Sequence, residues 1–212
     1  QDLIDFSFGE LQNFCKDKNL PKFRASQIWR WMYCFGFKSF NEMNNISKLT
    51  RELLNDISLI SRPQISEMQI SKDGTIKWLI KLKDNSEVET VYIPQDDRGT
   101  VCLSSQVGCT LNCSFCHTGT QALVRNLTSG EIIGQLMIVM DHLNDWPSGK
   151  NNRKVTNLVM MGMGEPLLNY DEVCKAIKIM MSDDGIAISR RRITLSTSGI
   201  IPNIEKTGIE LG

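Results

Sequence analysis

The sequence has no surplus of charge of either sign. Its 24 lysines and arginines balance 24 aspartates and glutamates across 212 residues, so net charge gives no support for a nucleic-acid partner, and any such contact must come from local patches. It contains no run of eighteen apolar residues and no secretory signal, which excludes a helical membrane span and leads us to expect a cytoplasmic protein. Its seven cysteines are odd in number and lack the even spacing of a disulfide scaffold, so a reducing compartment is expected. There is no Met at the start: the chain begins with Gln1 and stops at Gly212 soon after a helical pattern opens, and it reads as a fragment. What is present is ordinary for a soluble globular protein, with 41% hydrophobic and 23% charged residues, enough for one or two domains with a sizeable core.

Residues 1–60 read as helical. Leu11, Phe14 and Cys15 share one face, Ile28, Trp31, Met32 and Phe35 a second, and Leu49, Leu53, Leu54 and Ile57 a third, all at three-and-four spacing. Lys22, Arg24 and Arg30, interleaved with Trp29 and Trp31, allow an RNA-facing surface, although a solvated face is the commoner meaning of such a pattern. Cys15 and Cys34 are most simply core thiols. From residue 64 the period changes to two. Asp73-Gly74 and the turn at 83–86 divide this region into a three-stranded meander that ends near Pro94.

Beyond it strands and helices alternate. A strand is expected at 101–105, a helix opened by the capping pair Thr128 and Glu131, an exposed loop at 144–154, a strand at 155–161, a helix capped by Asn169 and Glu172, a strand at 193–197 and the start of a further helix at 201–206. Such an order begins a parallel α/β barrel or wound sheet, in which chemistry collects at the carboxyl ends of the strands. Three candidate motifs fall there: a cysteine loop after the first strand, Gly164-Glu165 after the second, and Ser196 with Ser198 at the end of the third.

In the cysteine loop, Cys109, Cys113 and Cys116 stand four and three residues apart, with Phe115 before the last. Three thiolates so close in sequence can ligate three irons of a four-iron cluster, whereas full protein ligation takes four. An iron without a protein ligand is a reactive position. The bland alternative is a structural zinc site, but that wants four ligands, commonly two CxxC pairs, and no second pair exists.

The CxxxCxxC spacing resembles the signature of the radical S-adenosylmethionine (SAM) superfamily. The resemblance implies a [4Fe-4S] cluster on Cys109, Cys113 and Cys116, whose fourth iron binds SAM and cleaves it reductively to a 5'-deoxyadenosyl radical. GMGEP at 162–166 is similar to the superfamily's GGEP motif, which implies that Gly164 and Glu165 lie along the SAM methionine; Ser196 stands where the third strand of the superfamily contacts SAM. More narrowly, CLSSQVGC at 102–109, RNLT at 125–128, MGMGEPLLN at 161–169 and RRRITLSTSG at 190–199 together look like the RlmN family of dual-specificity RNA methyltransferases. Cfr-type enzymes share the cysteine frame, but Pro166 after Glu165 favours the RlmN side.

This resemblance implies an α/β protein: a partial, truncated radical SAM (β/α) barrel at 99–212, preceded by a small helical accessory domain at 1–60 and a β-meander at 61–98. It implies methylation of carbon 2 of an adenine in 23S rRNA and in tRNA through a methyl-cysteine intermediate, with an electron donor such as flavodoxin. Glu89, in VETVYIP, aligns with the proton acceptor, and Cys102 with the thiol that releases the product by forming a disulfide; read without the family, they are a surface glutamate and a strand cysteine. No cysteine follows Cys174, so the methyl-carrying cysteine of the family has no counterpart here. Two competing readings are a non-catalytic zinc- or cluster-binding RNA module and another radical SAM enzyme, such as an activase that makes a glycyl radical. Cys102 and the helical segment disfavour the last. Arg190, Arg191 and Arg192 are a dense basic run, most simply a solvated loop, and His117 and His142 carry no assignment.

Overall fold

The computed structural model describes residues 1–111, 113, 114, 116–149 and 152–212. Phe115, the expected aromatic before the last cysteine, and part of the 144–154 loop lie outside the described residues. Three helices open the chain: α1 (Phe8–Asp17), α2 (Phe23–Tyr33) and α3 (Lys48–Ile57). A capping box starts α1: the Ser7 hydroxyl accepts from the Glu10 amide at 3.3 Å, and the Glu10 carboxylate accepts from the Ser7 amide at 2.6 Å. The α1 stripe is buried whole, and in α2 Ile28 and Met32 are buried. The α3 stripe departs from expectation, because only Leu54 is buried while Leu49 is 78% exposed. The chief partner of α3 is the short turn Phe40–Glu42, which is too small to cover a full helix face.

The basic-aromatic pattern of α2 is used for packing. Trp29 is buried and donates its indole N–H to the Ser182 hydroxyl at 3.1 Å. Trp31 packs against Phe35 and Phe37, Arg24 donates to Gln27, and Arg30 pairs with Asp184. The buried side chains of residues 1–60 are continuous with those of the following sheet and helices in one hydrophobic cluster.

Next come β1 (Gln64–Ile70), β2 (Ile76–Lys81), β3 (Glu87–Gln95) and β4 (Arg98–Cys102), all antiparallel. The meander therefore has four strands, one more than the sequence suggests, and its last is the first core strand, ending earlier than expected. The short strands β5 (Gln106–Val107) and β6 (Arg125–Asn126) pair across the base of the cysteine loop. Then follow α4 (Ser129–Leu143), β7 (Asn157–Met160), α5 (Tyr170–Met181), β8 (Ile193–Leu195) and α6 (Ile201–Glu210). One six-stranded sheet results, in the order β1-β2-β3-β4-β7-β8, with β4, β7 and β8 parallel. Among the described residues the sheet is open and no barrel closes.

Alternation along the strands gives the sheet two unlike faces. Ile76, Trp78, Ile80, Val88, Thr90, Tyr92, Val101, Leu158 and Met160 are buried on the outer face. There the Trp78 ring meets His142 of α4 edge-on at 5.4 Å, and the Thr90 hydroxyl donates to the Gln135 side chain of α4 at 2.8 Å. The inner face carries Lys77, Leu79, Glu89, Val91, Thr100, Cys102, Asn157 and Val159, none of them fully buried. The capping pair of α4 forms as expected, with Thr128 and Glu131 exchanging hydrogen bonds at 3.0 and 3.2 Å. The expected pair for α5 does not: Asn169 makes no cap bond, and Glu172 accepts instead from the Ser129 amide at 2.6 Å. Tertiary partners outcompete the local cap at both residues.

Candidate active site

Register brings the inner-face candidates together. Cys102 lies opposite Val91 on β3 and Val159 on β7, and Val159 lies opposite Thr194 on β8. Glu89 is two residues from Val91 within β3, so its side chain and that of Cys102 belong to one face. The Glu89 carboxylate pairs with Lys77 at 3.0 Å and is about half exposed. Burial pushes the Cys102 thiol above its ordinary pKa; a hydrogen bond from the Met161 backbone acts downward, and the Glu89 charge adds to the upward shift. Ser196 is exposed just beyond β8.

The cysteine loop leaves the sheet at Gly108, whose φ of +75° and approach to the Ala122 carbonyl leave no room for a Cβ. Cys109 donates its amide to the Gln121 carbonyl at 3.2 Å, Cys116 donates to the Cys113 carbonyl at 3.0 Å, and the Gly119 amide donates to the Cys116 carbonyl at 3.0 Å. The Cys109 sulfur accepts from the Leu111 amide at 3.4 Å. All seven cysteines are free thiols, and the three in this loop are partly accessible. This donor set suits a cluster better than a single ion. Three thiols without a fourth can ligate three irons of a four-iron cluster, whereas a structural zinc ion takes four protein ligands.

The turn after β7 packs against the segment leading into the loop. Gly164, at φ +92°, lies so close to Gln106 that a Cβ would stand 2.5 Å from the Gln106 Cβ. Glu165 is 3% exposed, and its carboxylate accepts from the Leu167 amide at 3.0 Å and from the Ser198 amide and hydroxyl at 2.8 and 3.0 Å. Ser198, rather than Ser196, thus joins the end of β8 to this turn. The basic run Arg190–Arg192 precedes β8, at the amino end of the parallel strands and away from the thiols.

Sequence reasoning missed the polar side chains beneath these groups. The Ser104 hydroxyl donates to the Glu89 carbonyl at 2.6 Å and accepts from the Met163 amide at 2.9 Å. Gln135 clamps Ser104 by accepting from its amide at 2.8 Å and donating to its carbonyl at 3.0 Å. Gln106 and Asn169 bind both sides of the cysteine loop. One signal was readable: Gln135 interrupts the apolar run of α4, and a polar residue there needs partners.

A parallel sheet with a three-thiol loop following its first parallel strand, and a glycine-acid turn following its second, defines the radical SAM class. The superfamily's family model matches residues 103–209, and the model for the ribosomal RNA large subunit methyltransferase N-terminal domain matches residues 1–60. A dual-specificity RNA methyltransferase RlmN from Rhodopseudomonas palustris (strain BisB5) is 58% identical over 202 residues, covering 90% of this chain and 50% of that protein. An RlmN from Zymomonas mobilis is 53% identical over 215 residues, covering 100% of this chain and 55% of that protein. The crystal structure of a radical SAM methyltransferase from Sphaerobacter thermophilus superposes with a TM-score of 0.88 at 36% identity, over 97% of this chain and 59% of that one. The chain belongs to the radical SAM superfamily and, within it, to the RlmN family; it spans about half the length of the curated relatives it matches.

Proposed function

We propose that this chain supplies the cofactor-binding half of a radical SAM RNA methyltransferase that modifies carbon 2 of an adenine in 23S rRNA and in tRNA. The observation that carries this reading is the three-thiol loop joined through Gln106 to the buried Glu165 of the GMGEP turn. Cys109, Cys113 and Cys116 would hold a [4Fe-4S] cluster, with Gly164, Glu165 and Ser196 along bound SAM. An adenine carbon 2 is not nucleophilic, so its methylation needs the radical chemistry that the cluster and SAM supply together when bound.

The remaining roles fall to residues on the inner face. Glu89 accepts the proton that leaves carbon 2, and its side chain is accessible enough to do so, being half exposed beside Lys77. Cys102 is the thiol that releases product, and its raised pKa keeps it protonated and unreactive until it is called on. Residues 1–60 form an accessory unit for RNA, 61–98 the lead-in sheet, and 99–212 the catalytic core. The electron donor is a small redox protein of the flavodoxin kind. Among the described residues no helix is long and apolar enough to cross a membrane, in keeping with work on RNA in the cytoplasm.

The test is anaerobic reconstitution with iron and sulfide, followed by an electron paramagnetic resonance spectrum with and without SAM. A four-iron signal that shifts on adding SAM is expected, and stoichiometric zinc with no such signal would sink the proposal. Because no cysteine follows Cys174, the 212-residue chain should also fail to methylate unmodified RNA; robust turnover would remove the methyl-cysteine step.

A further inference from the structure

We infer that the side-chain amides of Asn169 and Gln106 are positioning groups that hold the thiol loop in register with the Gly164-Glu165 turn. The inference rests on the proposed function for its purpose, but its geometry stands apart from any bound group. Asn169 is only 4% exposed. Its amide nitrogen donates both hydrogens, one to the Ser105 carbonyl and one to the Leu127 carbonyl, each at 2.8 Å. Those two carbonyls flank the neck of the thiol loop, on the entering and the returning strand. Gln106, 1% exposed, donates to the Asn126 side chain at 2.7 Å and accepts from the Glu165 amide at 2.9 Å.

The need for such groups follows from the length of the loop. Between Val107 and Arg125 the chain carries three thiols, and the β5–β6 ladder beneath it is two residue pairs long. A ladder that short frays readily without further ties at its ends. The two amides tie its neck to the turn that carries Glu165. The position of Asn169 supports this reading independently. It stands at the start of α5 yet makes no cap bond, and both hydrogen bonds of its side-chain amide go to the loop neck.

That divided loyalty provides the experiment. Serine and aspartate both cap helices well, but neither can donate twice to the neck carbonyls. Wild type, Asn169→Ser, Asn169→Asp and Gln106→Glu would be compared by thermal melting, by hydrogen exchange of the full chain without cofactors, and by titrating SAM into the reconstituted protein while recording its electron paramagnetic resonance signal. In Asn169→Ser and Gln106→Glu, the neck amides of Cys109, Val124 and Leu127 should exchange faster while those of β2 and β3 keep their protection. The SAM needed to shift the signal should rise roughly 10–100-fold, as for other groups that orient metal ligands. Unchanged neck exchange, or faster exchange spread evenly over the chain, would overturn the inference, the second by showing a general structural role. If wild type takes up no cluster, the proposed function fails, and the exchange comparison still decides whether these amides hold the loop. Should Asn169→Asp or Gln106→Glu melt far below the others because it buries a charge, Asn169→Ser carries the comparison.

Discussion

On β3 successive residues live in different solvents. Val88, Thr90 and Tyr92 are buried beneath the helices, whereas Glu89 and Ile93, their immediate neighbours, are exposed on the inner face. The same division runs through β2 and β4, where Trp78 and Val101 are buried and Lys77 and Cys102 remain reachable. The outer face binds the sheet to α4, and the inner face leaves the Glu89 carboxylate and the Cys102 thiol partly accessible. One strand can serve both ends because a pleat sends alternate side chains to opposite sides. Rigidity on one side holds the groups of the other in place.

The comparison can be broken from either side. Its largest expected effect is on the outer face: Trp78→Ala should cost about 3–5 kcal/mol, the range for removing a buried aromatic ring, read as a lower denaturant midpoint with an unchanged slope. A loss under about 1 kcal/mol would mean that the outer face is not the stabilising one. Gln135→Leu should come next. It leaves the Ser104 amide and the Thr90 hydroxyl without their acceptor, at about 1–3 kcal/mol for buried polar groups left unsatisfied, and it should loosen the Glu89 backbone that Ser104 holds. Smallest in stability is Glu89→Gln on the inner face, within about 0.5 kcal/mol of wild type. Its signature is chemical. Removing the Glu89 charge removes one of the causes that raise the Cys102 pKa, so the pH midpoint for alkylation of Cys102 should move down. At a fixed mildly alkaline pH the variant should react faster. An unmoved midpoint would show that the two groups do not sense each other across the inner face.

Most of the element order was legible. The capping pair Thr128 and Glu131, the Asp73-Gly74 turn and the change of period at residue 64 each rest on contacts within a few residues, and each is found in the structure. Errors appear where distant partners compete. Asn169 and Glu172 have the spacing of a cap, but carbonyls at Ser105 and Leu127 and an amide at Ser129 claim them. The α3 stripe has the period of a buried face but lacks a partner large enough to bury it. Trp29 stands among basic residues in a pattern that reads as a solvated or RNA-facing surface, and it is instead core. The site was legible in its chemistry, since thiols, glycines and a carboxylate at fixed spacings declare themselves. Its supporting amides were not, because glutamine and asparagine are common and their meaning depends on what lies opposite.

By itself the sequence determined which residue types are candidates for chemistry and at which strand ends they fall, since donor type and local period are properties of the chain alone. Only the tertiary structure decided that the meander and the parallel strands are one sheet, that Glu89 and Cys102 share its open face, and that Asn169 serves a loop 42 residues before it rather than the helix it begins. Those outcomes depend on strand pairing and on competition among distant hydrogen-bond partners, which arise only once the chain has folded back on itself.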